Sequence, residues 1–236
     1  MRPHPFIHVA GIAALVAIIA SLTLAYVDIP AKTAIAAPIT EIVAPAPEIL
    51  DSIEVPQEPA PIIVPAKLGL PMTDALRRVT KKTFGMEVHP ETSPVQNDRF
   101  DGYHVGVDFE TDETEQDIDV VVSAICDGPL LSKNFAKGYG GFALQSCVLD
   151  GEDVIITYGH LDLENIEVEP KQILTRGERI GVLGKGHSRE TDGVRKHLHL
   201  GIHRGTETDI RGYVQKKEEI EKWLDVLKYL TPSTKE

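Results

Sequence analysis

Cysteine, aromatic residues and basic charge are all scarce in this chain. Its 236 residues include only two cysteines, Cys126 and Cys147, and neither belongs to a C-x-x-C pair. That argues against a metal site built on thiolates, which needs such pairs at short spacing. Lys and Arg number 24 against 36 Asp and Glu, a formal net charge of −12. Phosphate binding needs clustered Lys and Arg, so the balance argues against nucleic acid as a partner. The same acidity disfavours general attraction to anionic lipid. No H-E-x-x-H segment is present, so a glutamate base of that kind is missing too. What the chain does have is an ordinary hydrophobic content of 42%, enough for one folded core with a leader and a linker.

The leader is apolar from Phe6 to Val27 and carries no formal charge, with a neutral His8 within it. A helix of about 20 apolar residues crosses a hydrocarbon core, and this run has that length. Arg2 precedes it and Asp28 follows it, so the positive-inside bias leaves the N-terminus in the cytoplasm and exports the rest. Residues 1–36 are therefore a membrane anchor or a cleaved signal ending at Ala34-Ile35-Ala36; the length favours the anchor. Residues 37–67 hold Pro38, Pro45, Pro47, Pro56, Pro59, Pro61 and Pro65. Proline lacks an amide donor and has a fixed φ, so this stretch should join no sheet and continue no helix. It reads as an extended spacer of about 3 Å per residue.

From Leu68 the texture changes. Thr73 or Asp74 could cap a short helix through Val79. After it come β-like runs at His104–Phe109, Ile118–Cys126, Gly141–Leu149, Val154–His160, Arg179–Leu183 and His197–His203, separated by Gly-rich or Asp-rich turns. The expected fold class is mainly β, an antiparallel sheet or open-barrel or sandwich domain over residues 68–212. Val214, Ile220, Trp223, Leu224, Leu227 and Leu230 recur at helical spacing, which predicts an amphipathic helix over 213–236 packed on the sheet. Cys126 and Cys147 fall in neighbouring strands, as two buried thiols or as a disulfide; export favours the bond.

Nine histidines are present, and four fall in patterns that a metal site needs. His104-Val105-Gly106-Val107-Asp108 sets an imidazole and a carboxylate at even spacing on one strand face, with Gly106 leaving room between them for a metal or substrate. His197-Leu198-His199 places two imidazoles on one face of another strand, and His160 ends a third. Two His and one Asp are ligands that zinc accepts, with a fourth position left for water. A structural zinc would close its shell with four protein ligands, so a catalytic zinc is the better physical reading. The acidic run Glu110–Asp117 has no EF-hand spacing and reads as a solvated loop. His89 reads as a turn or groove-edge residue, His187 as exposed, and His203 as a possible substrate contact on the face of His197 and His199.

In this order the motifs resemble the lysostaphin-like, or LytM-type, zinc endopeptidases. Thr83-Phe84-Gly85 with His89-Pro90 is similar to the family's opening strand and turn. His104-Val105-Gly106-Val107-Asp108 resembles H-x-G-x-D, Gly138-Tyr139-Gly140-Gly141 its glycine turn, and Tyr158-Gly159-His160-Leu161 its Y-x-H-L segment. Gly177–Gly184 resembles G-x-x-I-G-x-x-G, and His197-Leu198-His199-Leu200 resembles the HLH motif. The similarity runs from about Thr83 to Gly205, just over half the chain.

The resemblance implies one zinc per chain held by His104, Asp108 and His199, with His160 and His197 as the catalytic pair and their division of roles left open. It implies a substrate of peptidoglycan peptides or cross-bridges. Some LytM-type domains have lost ligands and act as non-catalytic modules that activate other wall hydrolases; retention of all five positions argues against that alternative here. Two stretches depart from the family: the long acidic connection after Asp108, and Arg189–Lys196, which replaces a small, Gly- and Pro-rich approach to the HLH motif. Both border the groove in that fold, so the substrate preference of known members does not transfer.

Overall fold

A computed structural model of the chain describes residues 62–64, 67–230 and 233–235. The apolar run Phe6–Val27 and the proposed cleavage site lie outside these residues. Among the described residues no helix is long and apolar enough to cross a membrane.

The structure is mainly β. Its strands are β1 (Ile62–Val64), β2 (Glu87–Val88), β3 (Gly102–His104), β4 (Gly106–Glu110), β5 (Val121–Ser123), β6 (Gly128–Ala136) and β7 (Gly140–Leu149). They continue with β8 (Glu152–Leu161), β9 (Ile173–Leu174), β10 (Arg179–Val182), β11 (His197–Arg204), β12 (Tyr213–Val214) and β13 (Ser233–Lys235). Six strands make the main sheet in the order β4-β11-β8-β7-β6-β9, and β12-β3-β2 make a second. β10 pairs with β5, and β1 with β13. All these pairings are antiparallel, and the sheets stay open.

Alternation along the central strands builds the core. Val107 and Phe109 of β4, Leu198, Leu200 and Ile202 of β11, and Val154, Ile156 and Tyr158 of β8 share one buried cluster. Truncating a fully buried leucine such as Leu200 to alanine costs about 2–5 kcal/mol. The intervening residues Asp108, His197, His199 and His203 take the opposite face, as the period of two requires. The buried Tyr158 hydroxyl is satisfied on both sides: it donates to Gln145 Oε1 at 2.7 Å and accepts from the Ile125 amide at 3.0 Å. Cys126 and Cys147 form a disulfide, with Cα atoms 6.2 Å apart.

Three expectations change, and β6 has no counterpart among the runs read from the sequence. β6 lacks the alternation that marks a half-buried strand: Gly128 and Pro129 open it, polar residues fill its middle, and Leu130 is its one buried side chain. Its pairing with β7 and β9 makes it a strand. The short helix near Thr73 is a 3-10 turn over Ala75–Arg77, and Asp74 before it, at φ +54°, makes no side-chain cap.

The expected C-terminal helix is broken. After β12 come a 3-10 segment over Lys217–Lys222 and a single helical turn, α1 (Leu227–Leu230). Pairing of β11 with β4 stops at Gly201–Gly106. Beyond that point Trp223 bridges His203, and the Leu224 amide donates to the Ile202 carbonyl at 2.9 Å. An unbroken helix would leave this sheet edge unpaired, so backbone pairing outweighs the helical period. Val214, Trp223, Leu224 and Leu230 are still buried, as the apolar spacing predicts.

The proline-rich stretch does enter a sheet. Ile62–Val64, between Pro61 and Pro65, pairs with Ser233–Lys235. The three residues between those prolines keep their amide donors, and an isolated ribbon needs no more.

Candidate metal centre

The register of β4 against β11 sets the centre. Asp108 lies opposite His199, and Glu110 opposite His197. His104 arrives from the second sheet, where it pairs with Tyr213. Thus His104 and Asp108 do not share one continuous strand: the chain changes sheets at Val105, whose amide bonds the Gly212 carbonyl. Gly106 leaves space, as expected, but His199 fills it. A Cβ on Gly106 would lie 2.6 Å from both Cε1 and Nε2 of that ring.

Three donor atoms converge. His104 Nε2 is 3.0 Å from His199 Nδ1 and 3.2 Å from Asp108 Oδ1, and His199 Nδ1 is 3.1 Å from the same oxygen. Ligand bonds of about 2.0–2.1 Å in a tetrahedron give edges of about 3.3 Å, so the triangle fits a zinc-sized cation. These three residues form a buried group able to hold a metal ion. The His104 ring is oriented by its far side: Nδ1 lies 3.2 Å from the Thr83 carbonyl, which can only accept. That leaves the Nε2 lone pair facing the centre.

Charge states agree with ligation. Burial raises the Asp108 carboxyl, but His197 and His104 outweigh it and hold the group well below the carboxylate range. Burial pushes His199 down to about 4, so its ring is neutral at pH 7. Burial, with His197 and His199 nearby, also holds His160 well below the usual imidazole value.

The second pair of histidines flanks this centre, with His160 and His197 ring centroids 4.3 Å apart. His197 Nδ1 lies 2.9 Å from the Arg195 carbonyl, and its Nε2 lies 3.3 Å from Asp108 Oδ2. His160 arrives by a different route. Gly159 opposes Phe142 and Leu161 opposes Gly141, so His160 is the extra residue of a β-bulge, at φ +64°. Strict alternation would send it with Tyr158 into the core. The bulge turns it to the face of His199 and lets Leu161 take the core position. His160 Nδ1 is buried without a hydrogen-bond partner among the described residues.

A cleft of about 310 Å³ opens over these side chains, walled by Phe100, Tyr139, Tyr213, Lys82, Arg195 and Arg211. Burial raises the Tyr139 and Tyr213 hydroxyls, which stay neutral. Lys82 is itself buried. Its Nζ reaches Asp98 Oδ2 at 2.5 Å and the Tyr213 hydroxyl at 2.8 Å. Arg195 bonds both Asp108 and Glu110. None of these wall residues was singled out for a role from the sequence. Arg195 sits in the segment that departs from the family pattern and Tyr139 in the glycine turn, and only those two had a signal.

The remaining histidines lie elsewhere. His89 is exposed and pairs with Asp101 at 2.6 Å, and His187 is exposed. His203 lies outside the cleft, edge-on to Trp223 at 4.9 Å between centroids. The acidic run is a capped turn: Asp112 caps Glu113–Glu115, and Glu115 takes a two-point pair from Arg78 at 2.6 and 2.8 Å.

No curated protein matches the chain. Among solved structures, the catalytic domain of the antimicrobial peptidase lysostaphin from Staphylococcus simulans is similar at 19% identity and a TM-score of 0.44, over 65% of this chain and 93% of that one. A zinc-containing peptidase from Vibrio cholerae is similar at 22% identity and a TM-score of 0.42, over 63% of this chain and 41% of that one. Residues 102–210 match the model of Peptidase family M23, a span that holds all three donor residues and both flanking histidines. Over residues 102–210, somewhat under half of its length, the chain thus carries a domain similar to peptidase family M23, in keeping with the lysostaphin-like, LytM-type motifs.

Proposed function

We propose that the chain is a zinc-dependent endopeptidase that hydrolyses amide bonds in peptidoglycan peptides or cross-bridges. The observation that carries this reading is the triangle of His104 Nε2, Asp108 Oδ1 and His199 Nδ1, at 3.0–3.2 Å, beside two further buried histidines. One zinc per chain would be held by these three residues. Zinc bound there supplies Lewis acidity for the scissile carbonyl and lowers the pKa of water towards about 7.

The chain's own residues do the rest. His197, beside Asp108 and held by the Arg195 carbonyl, is placed to take a proton from water at its Nε2 and return it to the leaving amine. His160, kept neutral by burial, orients water or donates to the developing oxyanion. Phe100, Tyr139 and Tyr213 restrict bulk water at the cleft walls. Residues 1–36 would act as leader or anchor and the proline-rich stretch before Ile62 as a spacer, placing the folded part outside the cytoplasm.

Digestion of purified muropeptides of several crosslink types by the full-length chain, followed by mass analysis, tests the reading. New amide-cleavage products that disappear with chelator and return with zinc are expected. No cleavage, together with stimulation of a second wall hydrolase, would establish the non-catalytic reading instead.

A further inference from the structure

The approach to β11 is held by Lys196. Its Nζ donates to the carbonyls of Ile118 at 2.7 Å and Glu115 at 3.0 Å, and its own carbonyl accepts from Thr111 Oγ1 at 2.7 Å. With Lys196 turned that way, alternation sends Arg195 to the side of His197. There Arg195 Nε donates to Glu110 Oε2 at 2.7 Å, and Nη2 donates to Asp108 Oδ2 at 2.9 Å and to Glu110 Oε1. Only 15% of the Arg195 side chain is exposed.

The two oxygens of Asp108 consequently face different groups. Oδ1 lies against His104 Nε2 and His199 Nδ1, at 3.2 and 3.1 Å. Oδ2 lies against Arg195 Nη2 and His197 Nε2, at 2.9 and 3.3 Å. A carboxylate free at both oxygens can close on a metal with both.

We propose that Arg195, clamped by Glu110, is a positioning residue that holds Oδ2 of Asp108 off the metal, so that the carboxylate ligates through Oδ1 alone and a coordination position stays open. This rests on the zinc reading above. The planar guanidinium suits the task because its fork meets two carboxylates with separate N–H groups, which the point charge of lysine does not. It also keeps two buried carboxylates, Asp108 and Glu110, from facing each other without a cation between them.

The test measures zinc affinity by chelator competition, and the visible spectrum of the cobalt(II)-loaded protein, for the full-length wild type, Arg195→Gln, Arg195→Lys and Glu110→Gln. Arg195→Gln is expected to bind zinc about 10- to 100-fold more weakly, the range seen when groups behind a ligand are removed. Its cobalt bands should weaken and shift as coordination rises from four to five, which loss of stability alone would not produce. Arg195→Lys should fail to restore either property. Glu110→Gln should move both in the same direction by less, and it decides the matter if Arg195→Gln does not fold. Wild-type affinity and spectrum in Glu110→Gln, or in a folded Arg195→Gln, would overturn the role of Arg195 and leave the zinc reading standing. A wild-type chain that binds neither metal would overturn both.

Discussion

Gly106 lies directly beneath the imidazole of His199, and the fit admits no side chain. A Cβ there would also meet the Leu200 carbonyl at 2.8 Å, so the ring and the strand would both have to move. Gly106→Ala should therefore lower stability by about 1–3 kcal/mol, the usual cost of overpacking, and weaken metal binding by displacing His199. Thermal unfolding with and without zinc checks this: the stabilisation given by zinc should shrink more than the metal-free stability does.

The two kinds of histidine should separate on substitution. His104→Ala removes a donor atom and should lose both zinc and hydrolysis. His197→Ala should keep zinc while hydrolysis falls about 10²- to 10⁴-fold, the range for removal of a general base. Elemental analysis alongside muropeptide digestion distinguishes them; loss of zinc from His197→Ala would contradict the proposed roles.

The bulge at His160 makes a backbone prediction. A residue at φ +64° sits in the left-handed region, which Asn tolerates and β-branched residues do not. His160→Asn should thus be more stable than His160→Val by about 1 kcal/mol or more, although valine is the more apolar side chain for a buried site. Both should lose activity. Urea unfolding of the two variants compares them.

Lys82 and Asp98 give a dependence on pH. Burial raises the Asp98 carboxyl, but its hydrogen bonds from Lys82 and Ser93 win, and the folded value lies below the ordinary one. A depressed carboxylate contributes stability that is present above its unfolded pKa of about 3.9 and is lost as pH falls through the folded value. Stability of the metal-free chain should therefore drop below about pH 4. Asp98→Asn should cost about 3 kcal/mol at pH 7, because it leaves a buried ammonium unpaired, and less at pH 3. Unfolding at the two pH values measures the difference.

Cys126 and Cys147 close a loop with a sequence separation of 21. Loop-closure entropy for that length corresponds to about 3 kcal/mol. Reduction, or the double substitution Cys126→Ala with Cys147→Ala, should lower stability by roughly that amount and leave zinc binding unchanged, since the bond lies outside the cleft. Denaturant unfolding with and without reductant tests it.

Much of this was legible in the residues alone, because strand periodicity is local. Alternation in His197-Leu198-His199-Leu200 put imidazoles on one face and leucines on the other, and the fold keeps that division. The order of short motifs pointed to the family. Other features needed the assembled chain. β6 has no pattern of its own and exists through its neighbours. Trp223 and Leu224 leave the helical period because a free edge of β11 lies within reach.

The site divides in the same way. The sequence offered residues 104, 108, 160, 197 and 199 as candidates, and the fold brings them close together. Three things were not legible in the sequence. The occupant of the space at Gly106 is His199, which comes from the paired strand β11, far away in sequence. The direction of His160 follows from a bulge, which only a pairing register can reveal. The contact of Arg195 with Asp108 and Glu110 joins residues 87 and 85 positions apart. Local spacing determines which face a side chain takes on its own strand, whereas contacts across strands depend on register, and register is set when the sheets pair.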